Sequence, residues 1–318
     1  MGGILDFEIR FPRSHVSVAE MSATSGAGVA DIREITHTAE IPVLRDGELS
    51  WRLAADAAAE LLSRTGTAPA EIGQVVFAGS GEWDLPFWSP AAKVAAELGI
   101  AAAHCFEVTN FCNAGTTALR VALDGVALRG GLVLVLAADR LSRMVDYTDA
   151  GSKELFNFGD AAAAVLVGSA GVRYELLHTA MRTDPSWVDY YFGDIRRDRV
   201  TIRRGPHREG LATAYVRNFT ALVDETLGAL GAKIDDVSRF LINHGDRRMH
   251  ERLLRTLGIP ESRSAFNYHR LGHMGSADTL IALRDLETEG ALCPGDLVLL
   301  ATSAMGFSWG ITALEVAP

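Results

Sequence analysis

The chain has 318 residues, 48% of them hydrophobic and 22% charged, a globular composition with ample material for a core. A formal net charge of −10 argues against nucleic acid as a partner, because binding phosphates takes a concentrated basic surface. Three cysteines at irregular spacing (Cys105, Cys112, Cys293) form neither a disulfide framework nor a zinc pattern.

The first twelve residues carry Asp6, Glu8 and Arg10 and lack the apolar core of a signal peptide. No apolar run is long enough to span a bilayer, so the expectation is a cytoplasmic protein in a reducing compartment, with no membrane partner. Residues 13–50 mix Ser, Thr, Gly and charges without a period and predict loops and short elements. Leu53, Ala54, Ala57, Ala58, Leu61 and Leu62 then form the apolar stripe of a helix that stops at Gly66. Val75 to Ala78 reads as a short buried strand closing on Gly79. A loop rich in Trp, Pro and Phe covers 81–90, and a helix from about Pro90 to Leu98 follows.

The next stretch organises the chain. Phe106 to Thr109 reads as a strand running into a short turn that carries Cys112. Ala118, Leu119, Val121, Ala122, Leu123, Val126 and Leu128 then recur as one face of a buried helix. A thiol at a helix N-terminus meets unpaired N–H groups and the positive end of the macrodipole, which favour the nucleophilic thiolate. Asn113, Ala114 and Gly115 leave room for an acyl group. A buried structural cysteine is the competing reading. Beyond Gly130-Gly131, Leu132 to Leu136 reads as a fully buried strand.

A shift of 165 residues places Val75-Val76-Phe77 on Phe240-Leu241-Ile242 and Leu132-Val133-Leu134 on Leu297-Val298-Leu299. Two strands superposed by one offset predict an internal duplication with halves 1–168 and 169–318, the first carrying the thiol. Each half alternates helices with continuous apolar strands, which predicts an α/β fold with helix-covered sheets. Residues 182–210, with Arg196, Arg197, Arg199, Arg203 and Arg204, predict an exposed excursion that is either a solvated surface or a site for an acidic partner.

Two histidines lie at the ends of regular elements, where functional groups of α/β folds project. His244 follows the strand Phe240–Asn243. His273 sits in a Gly-punctuated turn before a helix over Thr279–Leu286. Under the duplication, Cys112 and the turn around Gly275 precede equivalent helices. A cysteine with two histidines supplies a nucleophile, a base and a charge stabiliser. A metal site is the weaker alternative, since no carboxylate stands at ligand spacing.

The order of motifs resembles the thiolase-like condensing enzymes, and among them the β-ketoacyl-ACP synthase III group (ACP, acyl carrier protein). The matching segments are the Cys112 turn, Ala138–Ser142, Leu155–Ala162, Asn243-His244, Arg270–His273 and Gly306–Gly310. The resemblance covers nearly all the chain from about residue 50. It implies a thiolase fold, a duplicated αβαβα five-layer architecture.

It also implies roles. Cys112 would hold an acyl group as a thioester, with His244 and His273 completing a Cys-His-His site. The amide of Cys112 and those of Met305 and Gly306 would form the oxyanion hole. Phe158 and Phe307 would line the substrate pocket, and Phe87 would reach across a homodimer into the partner's. Arg247, Arg248 and Arg252 would dock an acidic carrier protein. The resemblance implies no cofactor beyond acyl-ACP or acyl-CoA as substrate. His273 stands where this group usually has Asn, and Gly245 where Gln is usual. No Trp and Arg match the pair that clamps the adenine of coenzyme A, which points to a carrier-protein donor and a specialised, secondary-metabolite pathway. The expected reaction is decarboxylative Claisen condensation. The alternative is acyl transfer to a hydroxyl or amine.

Overall fold

The computed structural model describes residues 2–196 and 199–318; Arg197 of the arginine run lies outside the described residues. The first half runs β1 (Gly3–Arg10), β2 (His15–Ser17), α1 (Val18–Ser25), α2 (Val29–Thr36), β3 (Glu40–Pro42), α3 (Ser50–Thr65) and β4 (Ile72–Gly79). It continues with α4 (Pro90–Glu97), β5 (His104–Thr109), α5 (Ala114–Arg129), β6 (Leu132–Arg140) and β7 (Asp160–Gly168). The second half holds β8 (Tyr174–Thr183), a hairpin of β9 (Tyr191–Arg196) and β10 (Arg199–Arg204), α6 (Leu211–Leu230) and β11 (Val237–Ile242). It ends with α7 (Arg247–Leu257), α8 (Asp278–Thr288), β12 (Leu297–Ala304) and β13 (Ser308–Val316).

The strand order is β11-β12-β13-β8-β1-β7-β6-β4-β5. β4 pairs parallel with β6 and β11 parallel with β12, and the strands next in order, β7 and β13, are antiparallel. Only two residue pairs, Gly3–Glu175 and Ile4–Tyr174, join β1 to β8, so a short seam links the two halves of this nine-stranded sheet.

Period-two alternation sorts the strands between layers. Val76 and Ala78 of β4, with Val298 and Leu300 of β12, face a central core that also holds Ala118 and Ala122 of α5 and Ile281 and Leu283 of α8. Val75 and Phe77 turn the other way onto α3 and α4. Leu299 and Ala301 turn outward onto Phe219 and Leu222 of α6 and Leu253 of α7. The layers are therefore helices, sheet, paired central helices, sheet, helices. Strands covered on both faces read as unbroken apolar runs because neither face is wet.

The excursion over 182–210 is exposed but anchored. Most of its described residues are exposed, as expected, while Trp187, Tyr190 and Ile202 are buried and anchor it to the body of the protein. Its Arg203 binds Asp146 and Asp149 at 2.8 and 3.0 Å, and Arg204 binds Glu154 at 2.6 Å. Those two charges serve internal pairing rather than a partner.

Candidate active site

β5 ends at the bottom of the sheet interface, and the chain turns through a 3₁₀ turn, Phe111–Asn113, into α5. Phe111 sits at φ 49°, a left-handed conformation that is strained for a residue with a Cβ. Neighbouring groups hold it there. Ser276 Oγ lies 3.2 Å from the Phe111 carbonyl and 3.2 Å from Asp139 Oδ2. Burial raises the Asp139 carboxyl above the usual range, against the hydrogen bonds it accepts from Ser80 and Ser276. Gly115, one turn into α5, stays a glycine because an added Cβ would lie 2.9 Å from the Ser276 carbonyl. The turn that begins α5 and the turn that begins α8 are thus packed closely against each other.

His273 reaches the site from the second half. Its N–H donates to Asn157 O at 2.7 Å and its carbonyl accepts from Gly159 N at 2.9 Å. This close approach is possible because residue 272 is glycine; a Cβ there would lie 1.9 Å from Asn157 O. The imidazole sits 5.2 Å from the Phe158 ring, edge to face.

The central geometry is a chain of three side chains. Cys112 Sγ and His273 Nε2 are 2.9 Å apart, and His273 Nδ1 lies 2.6 Å from Asp278 Oδ2. All three are buried. Burial opposes a charge on His273, but the Cys112 sulfur and the Asp278 carboxylate outweigh it and raise its pKa well above the ordinary value. Burial likewise opposes the Asp278 charge, and attraction to His273 overrides it, so this carboxyl is held low. Asp278 also accepts backbone N–H bonds from His244 and Met274, each at 2.7 Å. In this arrangement the groups on both sides favour the positive form of the histidine.

His244 lies behind this chain. It is 1% exposed and does not line the cavity at Cys112. Nε2 lies 3.2 Å from Ala265 O, and the ring meets Tyr268 edge to face at 4.9 Å. Burial lowers its pKa, so it packs as a neutral ring. Its backbone N–H donates to Asp278, which also holds His273 against Cys112, so Cys112, His273 and Asp278 form a connected chain beside it.

The other expected residues divide. Phe158, Met305 and Phe307 line a cavity of about 400 Å³ together with Cys112 and His273. Met305 and Gly306 stand in the turn between β12 and β13, where Gly306 has φ 80° and Phe307 φ 53°. Phe307 stacks on Tyr191 at 6.2 Å. Phe87 is fully exposed, also at positive φ, and does not line this cavity. Arg247, Arg248 and Arg252 are exposed on α7, whose N-cap Asp246 and Met249 do line it; Arg247 already pairs with Glu251 at 2.9 Å.

The sequence reading missed three residues. Asp278 is the most important; an acid in the first turn of a helix reads as a dipole complement, and only the 3₁₀ turn Gly275–Ala277 folds it back onto His273. Tyr215 lines the cavity and contacts Ser303, with burial pushing its hydroxyl up to about 12. Glu154 lines it too and accepts from Tyr191 at 3.2 Å.

A duplicated five-layer α/β fold, with a cysteine at the head of one central helix and a His–Asp pair at the head of the other, defines a thiolase-fold condensing enzyme. Residues 106–185 match the family described as 3-oxoacyl-[acyl-carrier-protein (ACP)] synthase III, and residues 227–316 match its C-terminal region. A β-ketoacyl-[acyl-carrier-protein] synthase III of Rhizorhabdus wittichii is 31% identical over 312 residues, 96% of each chain. The 3-oxoacyl-[acyl-carrier-protein] synthase III of Aquifex aeolicus VF5 superposes with a TM-score of 0.87 at 25% identity, covering 99% of this chain and 100% of that one. The priming β-ketosynthase of the R1128 polyketide pathway gives a TM-score of 0.89 at 23% identity, covering 100% and 96%. The chain belongs to the β-ketoacyl-ACP synthase III family.

Proposed function

We propose that the chain takes an acyl group from a thioester donor onto Cys112 and passes it on by decarboxylative Claisen condensation. The observation that carries this reading is the Cys112–His273–Asp278 chain, 2.9 and 2.6 Å long, at the wall of the acyl-sized cavity. In the resting site a protonated His273 donates to the sulfur, which favours attack by a thiolate. The tetrahedral intermediate places its oxyanion against backbone N–H groups, those of Cys112, Met305 and Gly306 being the candidates. Acylation ties up the sulfur as a thioester. His273 Nε2–H, kept positive by Asp278, is then free to donate to the enolate oxygen left when a malonyl thioester loses carbon dioxide.

A second reading is transfer to a hydroxyl or amine, and one observation favours it. His244 turns its ring toward Ala265, which leaves a single imidazole at the sulfur, backed by a carboxylate in the manner of a general base. In that reaction His273 first gives its proton to the thiolate leaving the donor and then takes one from the acceptor as it attacks the acyl-Cys112 thioester.

We assign the donor to an acidic carrier protein docking at Arg247, Arg248 and Arg252, whose helix begins at the cavity. We place the chain in a homodimer formed through β5, the sheet edge, with Phe87 entering the neighbouring cavity. A specialised, secondary-metabolite pathway fits the histidine at 273 and the glycine at 245 better than housekeeping fatty-acid initiation.

The test is intact mass after incubation with a panel of acyl thioesters, with peptide mapping, followed by malonyl-ACP and by candidate acceptors. Label on Cys112, with carbon dioxide released on malonyl-ACP addition, is the expected result. Label on Cys105 or Cys293 instead overturns the nucleophile. No carbon dioxide, with ester or amide formed on an acceptor, overturns condensation in favour of transfer.

A further inference from the structure

A buried carboxyl stands between the turn that carries Cys112 and the turn that carries His273. Asp139, near the end of β6, is 4% exposed. Its side chain is closely walled: an added Cβ at Gly79 would lie 2.8 Å from Oδ1, and one at Gly275 2.9 Å from Oδ2. Oδ1 accepts the Ser80 amide at 2.7 Å, and Oδ2 lies 3.2 Å from Ser276 Oγ. Among the described residues, no lysine or arginine bonds to it. His273 is the cation that acts on it, and that ring is already committed to Cys112 and Asp278.

Ser276 Oγ also lies 3.2 Å from the Phe111 carbonyl. A hydroxyl has one proton, so it cannot donate to that carbonyl and to a carboxylate at once. An ionised Asp139 would take the proton, and the Phe111 carbonyl would keep only the Ala114 amide of its own turn. It would also leave a charge in the interior with no counter-ion bonded to it. A protonated Asp139 meets both demands. Its Oδ2–H donates to Ser276 Oγ, Ser276 Oγ–H donates to the Phe111 carbonyl, and Oδ1 still accepts the Ser80 amide. The bond between acid and hydroxyl then runs opposite to its direction in the ionised form. Burial favours the protonated form as well.

We propose that Asp139 is a neutral acid and that Asp139 and Ser276 are positioning residues for Cys112, relaying hydrogen bonds from the end of β6 through the turn before α8 to the carbonyl of Phe111. Phe111 is the left-handed residue immediately before Cys112, so holding its carbonyl sets the aim of the sulfur. Its ring also packs on the turn that carries Met305 and Gly306, where an added Cβ at Gly306 would lie 3.2 Å from Phe111 Cε2. The relay therefore aligns the nucleophile with the amides beside it, and with His273, whose turn Ser276 shares. Neither Asp139 nor Ser276 lines the Cys112 cavity, so both act through Phe111. The inference rests on Cys112 being the nucleophile proposed above.

The test compares the full-length wild type with Asp139→Asn and Ser276→Ala. Asparagine keeps one acceptor for the Ser80 amide and one N–H donor for Ser276, so it replaces a neutral acid; it cannot replace a carboxylate that accepts at both oxygens. Two rates are read: alkylation of Cys112 by iodoacetamide, which needs no acyl donor, and acylation from a small thioester. Asp139→Asn should stay within about threefold of wild type in both. Ser276→Ala should slow both by about tenfold to a hundredfold, as for a reacting atom displaced by up to about 1 Å. In infrared difference spectra of wild type against Ser276→Ala at neutral pH, a carboxylic-acid carbonyl band should move, because the acid loses the hydroxyl it donates to. Asp139→Asn falling as far as Ser276→Ala would overturn the relay and make Asp139 an anion. The absence of a moving acid band would also overturn it. So would a Ser276→Ala protein that melts lower yet reacts at the wild-type rate, which would make the contact structural only. Failure of every acyl donor on a wild type that alkylates at Cys112 would overturn the acyl-enzyme reading alone, since the alkylation rates and the spectrum still decide the relay.

Discussion

Asp278 Oδ2 lies 2.6 Å from His273 Nδ1, and the same carboxylate accepts the backbone N–H groups of His244 and Met274. One acid therefore fixes the tautomer, the charge and the position of the imidazole that faces Cys112. Asp278→Asn keeps the shape and removes the charge. Acylation of Cys112, followed by intact mass, should slow by roughly 10²–10⁴, the range for a displaced general acid or base. A change under about fivefold would make Asp278 a packing residue only.

His273 separates the two reactions. His273→Asn retains an N–H donor but no base. If the enzyme condenses, carbon dioxide release from malonyl-ACP should persist on pre-acylated His273→Asn, while His273→Ala should lose roughly 10²–10³, as for a missing oxyanion donor. Equal failure of both variants on an acceptor alcohol or amine would point to proton abstraction.

His244 offers a contrasting expectation. Its ring packs on Tyr268 and bonds toward Ala265. His244→Ala should lower thermal stability, by about 1–3 kcal/mol for a partner left unsatisfied in the interior. Acylation of the surviving folded protein should stay within about fivefold of wild type. A loss beyond about a hundredfold would mean that the ring swings into the cavity during turnover.

Stability should fall on the acid side for a reason located in the same cluster. Burial pushes His250 down to about 3, and it bonds Ser264 at 2.8 Å as a neutral ring. The unfolded chain takes up this proton near the ordinary value of 6.5, so its contribution is present above 6.5 and is lost as pH falls toward 3. His250→Phe, which keeps the stacking on Phe266, should flatten the slope of melting temperature against pH across that window. An unchanged slope would assign the acid sensitivity elsewhere.

The sheet edge sets the last expectation. β5 has a neighbour on one side only, and Phe87 is fully exposed. Sedimentation should find a dimer, and Phe87→Asp should weaken it or lower acylation by long-chain donors. A stable wild-type monomer at micromolar concentration would contradict the assembly; obligate pairs bury above about 2,000 Å².

How much of this was legible in the sequence follows from what each residue needs. β4, β6, β11 and β12 were, because apolar runs covered on both faces need no context. The alanine run of β7, Ala161–Ala164, was not, since alanine carries little strand preference and is placed there by tight packing under α3. β1 was hidden by Asp6, which is buried only because Arg64 and Arg173, distant in sequence, bind it at 2.9 and 2.7 Å. Cys112 and His273 could be chosen by motif. The direction of the His244 ring could not, because Ala265 and Tyr268 decide it.

The two halves of the sheet join through only two residue pairs, and the thiol comes from one half while its histidine and acid come from the other. Neither half owns a reaction. A protein split at the Gly168–Tyr174 connection would give two chemically inert pieces, and activity would return only if they reassembled across the paired central helices. Recombining halves from different relatives would therefore report first on whether those helices fit, since the Cys112 sulfur meets the His273 ring across them.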